Sequence, residues 1–192
     1  MQATKQQILD AAFETLRKDG FAAATSRAVA RRGGFNQALV FYYFGSMDGL
    51  LLAALDWTNE RRLQAYREAL AGADTVDDVV AAAERLFDED VASGHIAVVS
   101  QMIAGSVGRP ELAPEMLQRM RPWVELCEQT LERLAPASPA LGVLPLSDVA
   151  YAIVTFYLGA NLLTHLEGDR ARVDTLLTQV RELERLLGKW RF

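Results

Sequence analysis

Apolar positions along the chain recur at intervals of three and four, and strand-like alternation is hard to find, so the pattern predicts an all-α protein of about nine helices. The first runs from about Lys5 to Lys18. Thr4 and Gln7 have capping-box spacing, and Ile8, Ala11, Ala12, Phe13 and Leu16 form one apolar stripe. Gly20 is expected to close it in the left-handed conformation that glycine adopts cheaply. Thr25 caps a short helix with Val29 and Ala30 inward and Arg27, Arg31 and Arg32 outward. Gly33 and Gly34 make a tight turn. Asn36 caps a second short helix from Gln37 to about Tyr43, and Ser46 caps a long one from Met47 to about Leu70.

Beyond Gly72 the periods continue. Thr75 with Asp78 starts a helix that passes Phe87 and ends near Val91, and Ser93-Gly94 breaks the chain. His95 to about Val107 is short and apolar. A turn at Gly108-Arg109-Pro110 leads to a helix over 111–134, which Pro122 should kink or split because it lacks an N–H. Pro136, Pro139, Gly142 and Pro145 mark the longest loop. Ser147 caps a helix over 148–167, Gly168-Asp169 interrupts, and a last helix runs from about Arg170 to Leu187. These two carry apolar stripes: Val149, Ala152, Ile153, Phe156, Tyr157, Ala160 and Leu163 on one, and Leu176, Leu177, Val180, Leu183 and Leu187 on the other. Such helices pair with symmetry mates in a four-helix bundle or pack on their own body, and periodicity leaves both open.

Composition narrows the class. With 192 residues and 51% hydrophobic content the chain can fill a core. The single cysteine, Cys127, rules out an intrachain disulfide and fits a reducing compartment. MQATKQQILDAAFETL reads as a polar-started amphipathic helix and not as a signal peptide. The longest apolar stretch, YAIVTFYLGANLLTHL, contains Asn161 and Thr164, falls short of the roughly 20 residues a bilayer span needs, and reads as a buried helix. Net charge is −5, yet residues 1–49 hold six Lys/Arg against four Asp/Glu, a net of +2, which leaves −7 for the remainder. A basic head on an acidic body suits a nucleic-acid reader with a separate sensing part.

Two short helices joined by a glycine turn, the second ending in aromatics, have the form of a helix-turn-helix DNA reader. Three helix N-termini within residues 25–47 offer free N–H groups and partial positive charge to phosphate oxygens. Asn36 and Gln37 carry amides that pair bidentately with adenine. Catalysis finds no comparable support. His95 and His165 lie far apart, and no glycine-rich phosphate loop, HExxH or GxSxG motif occurs, so an enzyme, a cofactor and a metal are not expected. The run Glu84, Asp88, Glu89 and Asp90 reads as a solvated acidic face.

GFAAATSRAVA, GGFNQALVFYYF and GSMDGLLLAAL, ungapped from Gly20 to Leu51, resemble the TetR/AcrR family of transcriptional regulators. The resemblance implies a helix-turn-helix DNA-binding domain at 1–46 and a ligand-binding and dimerisation domain at 47–192. It implies a cytoplasmic homodimer, with the second short helix in the major groove of a palindromic operator. The DNA contacts would then be Thr25, Ser26, Arg27, Asn36, Gln37, Ala38, Phe41, Tyr42 and Tyr43. The dimer would form through Val149, Ile153, Phe156, Tyr157, Ala160, Leu163, Leu176, Val180, Leu183 and Leu187. Family members usually repress and release DNA on binding a small molecule. Here Phe87, Gln101, Met102, Met120, Trp123, Cys127, Phe156, Asn161 and His165 are the candidates to line a site for an apolar effector. Two positions depart from the pattern: Phe41 replaces a usual Tyr and Met47 a usual Lys, each a phosphate contact. They leave one alternative, a helical protein-interaction module whose head does not bind DNA.

Overall fold

The computed structural model describes residues 4–138, 141 and 145–189. Pro139 and Gly142 of the long loop, and the side chain of Leu187, lie outside that description. The described residues form nine α-helices and no strand: α1 (Lys5–Asp19), α2 (Ser26–Gly33), α3 (Ala38–Phe44), α4 (Met47–Leu70), α5 (Val76–Ser93), α6 (His95–Val107), α7 (Ala113–Leu134), α8 (Leu146–Glu167) and α9 (Ala171–Lys189), with a 3-10 turn at Pro110–Leu112. They pack as two compact units. The first comprises residues up to 62 together with 93–119, and the second comprises 63–92 and the chain from 120 onward.

In the first unit the capping box of α1 is complete. Thr4 Oγ1 accepts from the Gln7 backbone N–H at 3.2 Å, and Gln7 Oε1 accepts from the Thr4 N–H at 2.9 Å. The stripe of α1 then meets Val29 of α2, Val40 of α3, and Leu50 and Ala54 of α4 in one core, flanked by Phe35, Leu39, Tyr43, Phe44 and Met47. Arg32 is exposed, as its sequence position suggests, but its guanidinium is not free. Its guanidinium donates to Asp19 at 2.6 Å and to Thr15 Oγ1 at 3.0 Å, which ties α2 to α1. Gly20 has positive φ but extended ψ (81°, 172°), so it is not left-handed helical as expected. That region is still closer to glycine's exclusive territory. Of the glycine pair, Gly33 ends α2 and only Gly34 turns the chain.

In the second unit Thr75 and Asp78 cap α5 reciprocally: Thr75 Oγ1 accepts from the Asp78 N–H at 3.1 Å, and the Asp78 carboxylate from the Thr75 N–H at 3.0 Å. Phe87 of α5, Ala160 of α8 and Val173 of α9 share a core with Tyr157 and Leu177. Arg181 of α9 holds Glu84 of α5 bidentately at 2.9 and 2.8 Å.

Pro122 does not split α7, which is continuous from Ala113 to Leu134, so of the two outcomes expected only a kink is left. Two expectations about these helices need correction. Ser147 is inside α8, whose first residue is Leu146 and whose start carries no side-chain cap bond. The apolar stretch in α8 is not buried: only 17% of its apolar window is covered, and by length and composition the 22-residue helix could cross a membrane. Asn161 and Thr164 interrupt the apolar run but not the helix, whose 22 residues reach the length of a span.

Candidate nucleic-acid interface

Thr25 caps α2 by accepting the Ala28 N–H on Oγ1 at 3.2 Å. That leaves Arg27 exposed and Ser26 half-buried on the first turn. Gly34, at φ 70° and ψ 34°, then redirects the backbone. Phe35 anchors the turn in the core, and Asn36 Oδ1 accepts the Ala38 N–H at 2.9 Å. Asn36 therefore satisfies the start of α3, although the residue directly before the helix is Gln37. The amide of Gln37 is left exposed, as is Ala38.

Along α3 the register divides the aromatics cleanly. Val40 is fully buried, and Leu39, Tyr43 and Phe44 pack on the core. Phe41 and Tyr42 are 50% and 76% exposed. Tyr42 stands edge-on to Tyr43 at 4.9 Å, so the exposed ring is braced by a core ring. The Lys5 ammonium sits 5.6 Å from the centre of the Phe44 ring. Ser46 Oγ accepts the Gly49 N–H at 2.9 Å and caps α4. Met47 turns into the head core, so the position is used for packing and supplies no charge.

Arg27, Asn36, Gln37, Ala38, Phe41 and Tyr42 are thus exposed around one turn and one short helix, whereas Tyr43 belongs mainly to the core. This edge offers the amides of Asn36 and Gln37 just before α3, the flat ring of Phe41 four positions after Gln37, and the Tyr42 hydroxyl. Among the described residues, Arg27 and Arg31 are the cations of residues 4–49 held by neither a carboxylate nor a ring. None of these exposed residues is acidic and Arg27 is cationic, which suits a surface facing phosphates.

The effector candidates divide between the units. Gln101 and Met102 lie on α6 in the first. Met102 is buried, and Gln101 Oε1 accepts the Phe21 N–H at 3.0 Å. Phe87, Met120, Trp123, Cys127 and Asn161 belong to the second unit, and Phe156 and His165 are on the exposed side of α8. Burial pushes the Cys127 thiol up to about 11. The second unit also holds a cluster that sequence reasoning missed. Asp90, 1% exposed, accepts from the hydroxyls of Tyr66 at 2.8 Å and Tyr157 at 2.6 Å, and those two oxygens are themselves 2.6 Å apart. Trp123 stands edge-on to Tyr66 at 5.3 Å, and Phe87 to Tyr157 at 5.6 Å. Burial first, then the neighbouring charges of Tyr157 and Asp90, hold the Tyr66 hydroxyl far above the ordinary phenol range. Burial and then Asp90 do the same to Tyr157. Both phenols are therefore neutral donors. Asp90 is not part of a solvated acidic face: Asp88 and Glu89 are exposed, and helical rotation turns Asp90 inward. Its spacing of three from Phe87 was the available signal.

Known proteins converge on one family. Residues 8–54 match the family described as bacterial regulatory proteins, tetR family. The chain is 34% identical over 142 residues to the HTH-type transcriptional regulator BetI of Stenotrophomonas maltophilia, covering 69% of each chain. It is 25% identical over 187 residues to the HTH-type transcriptional regulator UidR of Escherichia coli, covering 92% of this chain and 94% of that one. The fold matches the transcriptional regulator FadR of Bacillus subtilis, solved in complex with stearoyl-CoA, with a TM-score of 0.76 at 15% identity over 94% of this chain and 97% of that one.

Proposed function

The chain belongs to the TetR family of bacterial regulatory proteins, a family of helix-turn-helix transcriptional regulators, and from that premise we propose that it is a ligand-responsive repressor that binds a palindromic operator as a homodimer. The single observation that carries the DNA side is the division of α3, which buries Val40 and leaves Gln37, Ala38, Phe41 and Tyr42 presented together. In this reading residues 1–46 bind DNA and 47–192 form the sensing and dimerising body. Gln37 and Asn36 read base edges, Ala38 and Phe41 meet thymine methyls, and Thr25, Ser26, Arg27, Tyr42 and Tyr43 hold phosphates. The exposed apolar residues Ile153, Phe156 and Leu163 of α8 and Leu176, Val180 and Leu183 of α9 support a face that a second copy covers.

For the effector, the half-buried Met120, Trp123 and Cys127 and the buried Phe87, with Trp123 on the Tyr66 ring and Phe87 on the Tyr157 ring, support an adaptable apolar site in the second unit. Asp90 and the two phenols would give that site a polar pole. α4 begins in the first unit and ends in the second, so a ligand that favours one setting of α4 shifts the population of DNA-competent heads.

The deciding experiment is selection from randomised duplex DNA at moderate salt, with Tyr42→Ala in parallel. Enrichment of an inverted repeat that the variant loses is the expected result. A well-folded protein that enriches nothing overturns DNA binding and leaves the protein-interaction module as the surviving reading.

A further inference from the structure

The DNA-reading segment begins at Phe21, directly after the Gly20 that closes α1, and ends at Asp48, in the first turn of α4. These two residues are 27 positions apart in sequence, and one side chain touches both. The Arg109 guanidinium lies over the Phe21 ring, 5.2 Å from its centre, and pairs with the Asp48 carboxylate. Two further contacts fix Phe21 against α6. Gln101 Oε1 accepts its backbone N–H at 3.0 Å, and its ring lies on Gly105, where a Cβ would run into the ring carbons. All five residues belong to the first unit, and Gln101 and Arg109 come from 80 and 61 positions downstream of Phe21 and Asp48 respectively.

We propose that Arg109, with Gln101 behind it, is a positioning residue for DNA recognition: it closes the segment from Phe21 to Asp48 into a loop of fixed span, and that span sets how α3 is presented. The inference rests on the DNA-reading proposal above. α2 and α3 are short, of eight and seven residues, and short helices depend on tertiary contacts for their setting. A flat guanidinium suits the task because it stacks on a ring and forks toward a carboxylate at the same time, which an ammonium does poorly. Arg109 and Asp48 are both solvent-accessible, so their pairing adds little to global stability. Its effect falls on the geometry of one segment. It also neutralises the one carboxylate in the first turn of α4, beside the cap that faces phosphate in the proposed complex.

The test uses the full chain and the inverted-repeat duplex selected by the wild type. Arg109→Gln should fold with an unchanged thermal midpoint and lose roughly five- to tenfold in affinity. Arg109→Lys should recover only part of that loss. The slope of log affinity against log salt should stay that of the wild type, because a positioning residue releases no counterion. Asp48→Asn should weaken binding too, and the double variant should be no worse than Arg109→Gln alone. Hydrogen exchange of the α2–α3 amides should quicken in Arg109→Gln. Equal affinity of Arg109→Gln and wild type overturns the proposal. So does a salt slope shallower by about one per head, which would make Arg109 a direct phosphate contact. A wild type that selects no duplex instead defeats the DNA-reading proposal, and in that case the exchange rates of α2 and α3 still decide whether Arg109 fixes the segment.

Discussion

Gly34 is the position where a single residue type decides the turn. Its φ of 70° and ψ of 34° lie in the left-handed helical region, and a Cβ there would meet no atom within 4 Å. Space is therefore not the constraint and the cost of a side chain is conformational alone. Gly34→Ala should lower the stability of the protein by about 1 kcal/mol, read as an earlier urea midpoint with an unchanged slope. An unshifted midpoint would mean that the backbone does not turn there as described. The turn was legible in the sequence because glycine is rare enough to be informative. Asn36 as a cap was legible for similar reasons of side-chain chemistry. Asp90 was not. Its neighbours Asp88 and Glu89 are solvated, its spacing from Phe87 is a weak signal, and the phenols of Tyr66 and Tyr157 that hold it inside are 24 and 67 positions away. Met47 was legible as a missing charge but not as a core residue, because its packing depends on where α4 meets the head.

At the scale of elements, helix bounds followed from caps and breakers wherever these act locally. α4 and α6 run between the expected residues, and α5 starts at its Thr75–Asp78 box. Expectation failed where a side-chain signal had a competitor: α8 begins directly after Pro145 without using Ser147. Pro122, expected to kink or split α7, leaves it continuous. What the pattern left open, whether the stripes of α8 and α9 pack inward or face out, depends on the partner that each face finds. Within the chain only Ala160 of the expected α8 face is buried; Ile153, Phe156 and Leu163 are exposed, as are Leu176, Val180 and Leu183 of α9. If a second copy covers this face, a charge at its middle must be desolvated. Leu183, 57% exposed in the single chain, is the place to put one. Leu183→Glu should keep its helical circular dichroism and thermal midpoint of the monomer fold, and weaken self-association by at least about 100-fold, roughly 3 kcal/mol, in sedimentation equilibrium. An unchanged association constant would remove α8 and α9 from the proposed interface.

For the molecule as a whole the charge distribution sets the terms of DNA binding. Residues 1–49 carry a net +2 and the rest −7, so the head must attract phosphate against an acidic body. At 0.1 M salt the screening length is about 10 Å, which confines the contest to charges near the contact surface. Several of the head's cations are already engaged: Arg17 and Lys18 with Glu14, Arg32 with Asp19, and Lys5 with the Phe44 ring. The division into two units could not be read along the chain, because residues 93–119 return to join the head after the 30-residue excursion of 63–92. That return brings Arg109 to Asp48, one residue from Met47, yet its guanidinium is occupied by the ring and the carboxylate. The start of α4 therefore offers its capped backbone but no free cation. Restoring one is a direct test of where the phosphates lie. Met47 is half-buried, and a lysine stem can occupy the same apolar channel while its ammonium reaches water. Met47→Lys should keep the fold, tighten binding to any duplex, and steepen the slope of log affinity against log salt by about one per head. Base preference should not change, because a phosphate contact carries no sequence information. A tighter complex with the original slope would place the gain in the head's packing rather than at the backbone. An unaltered affinity would mean that the start of α4 does not face DNA, and the orientation assigned to the reading head would have to be abandoned.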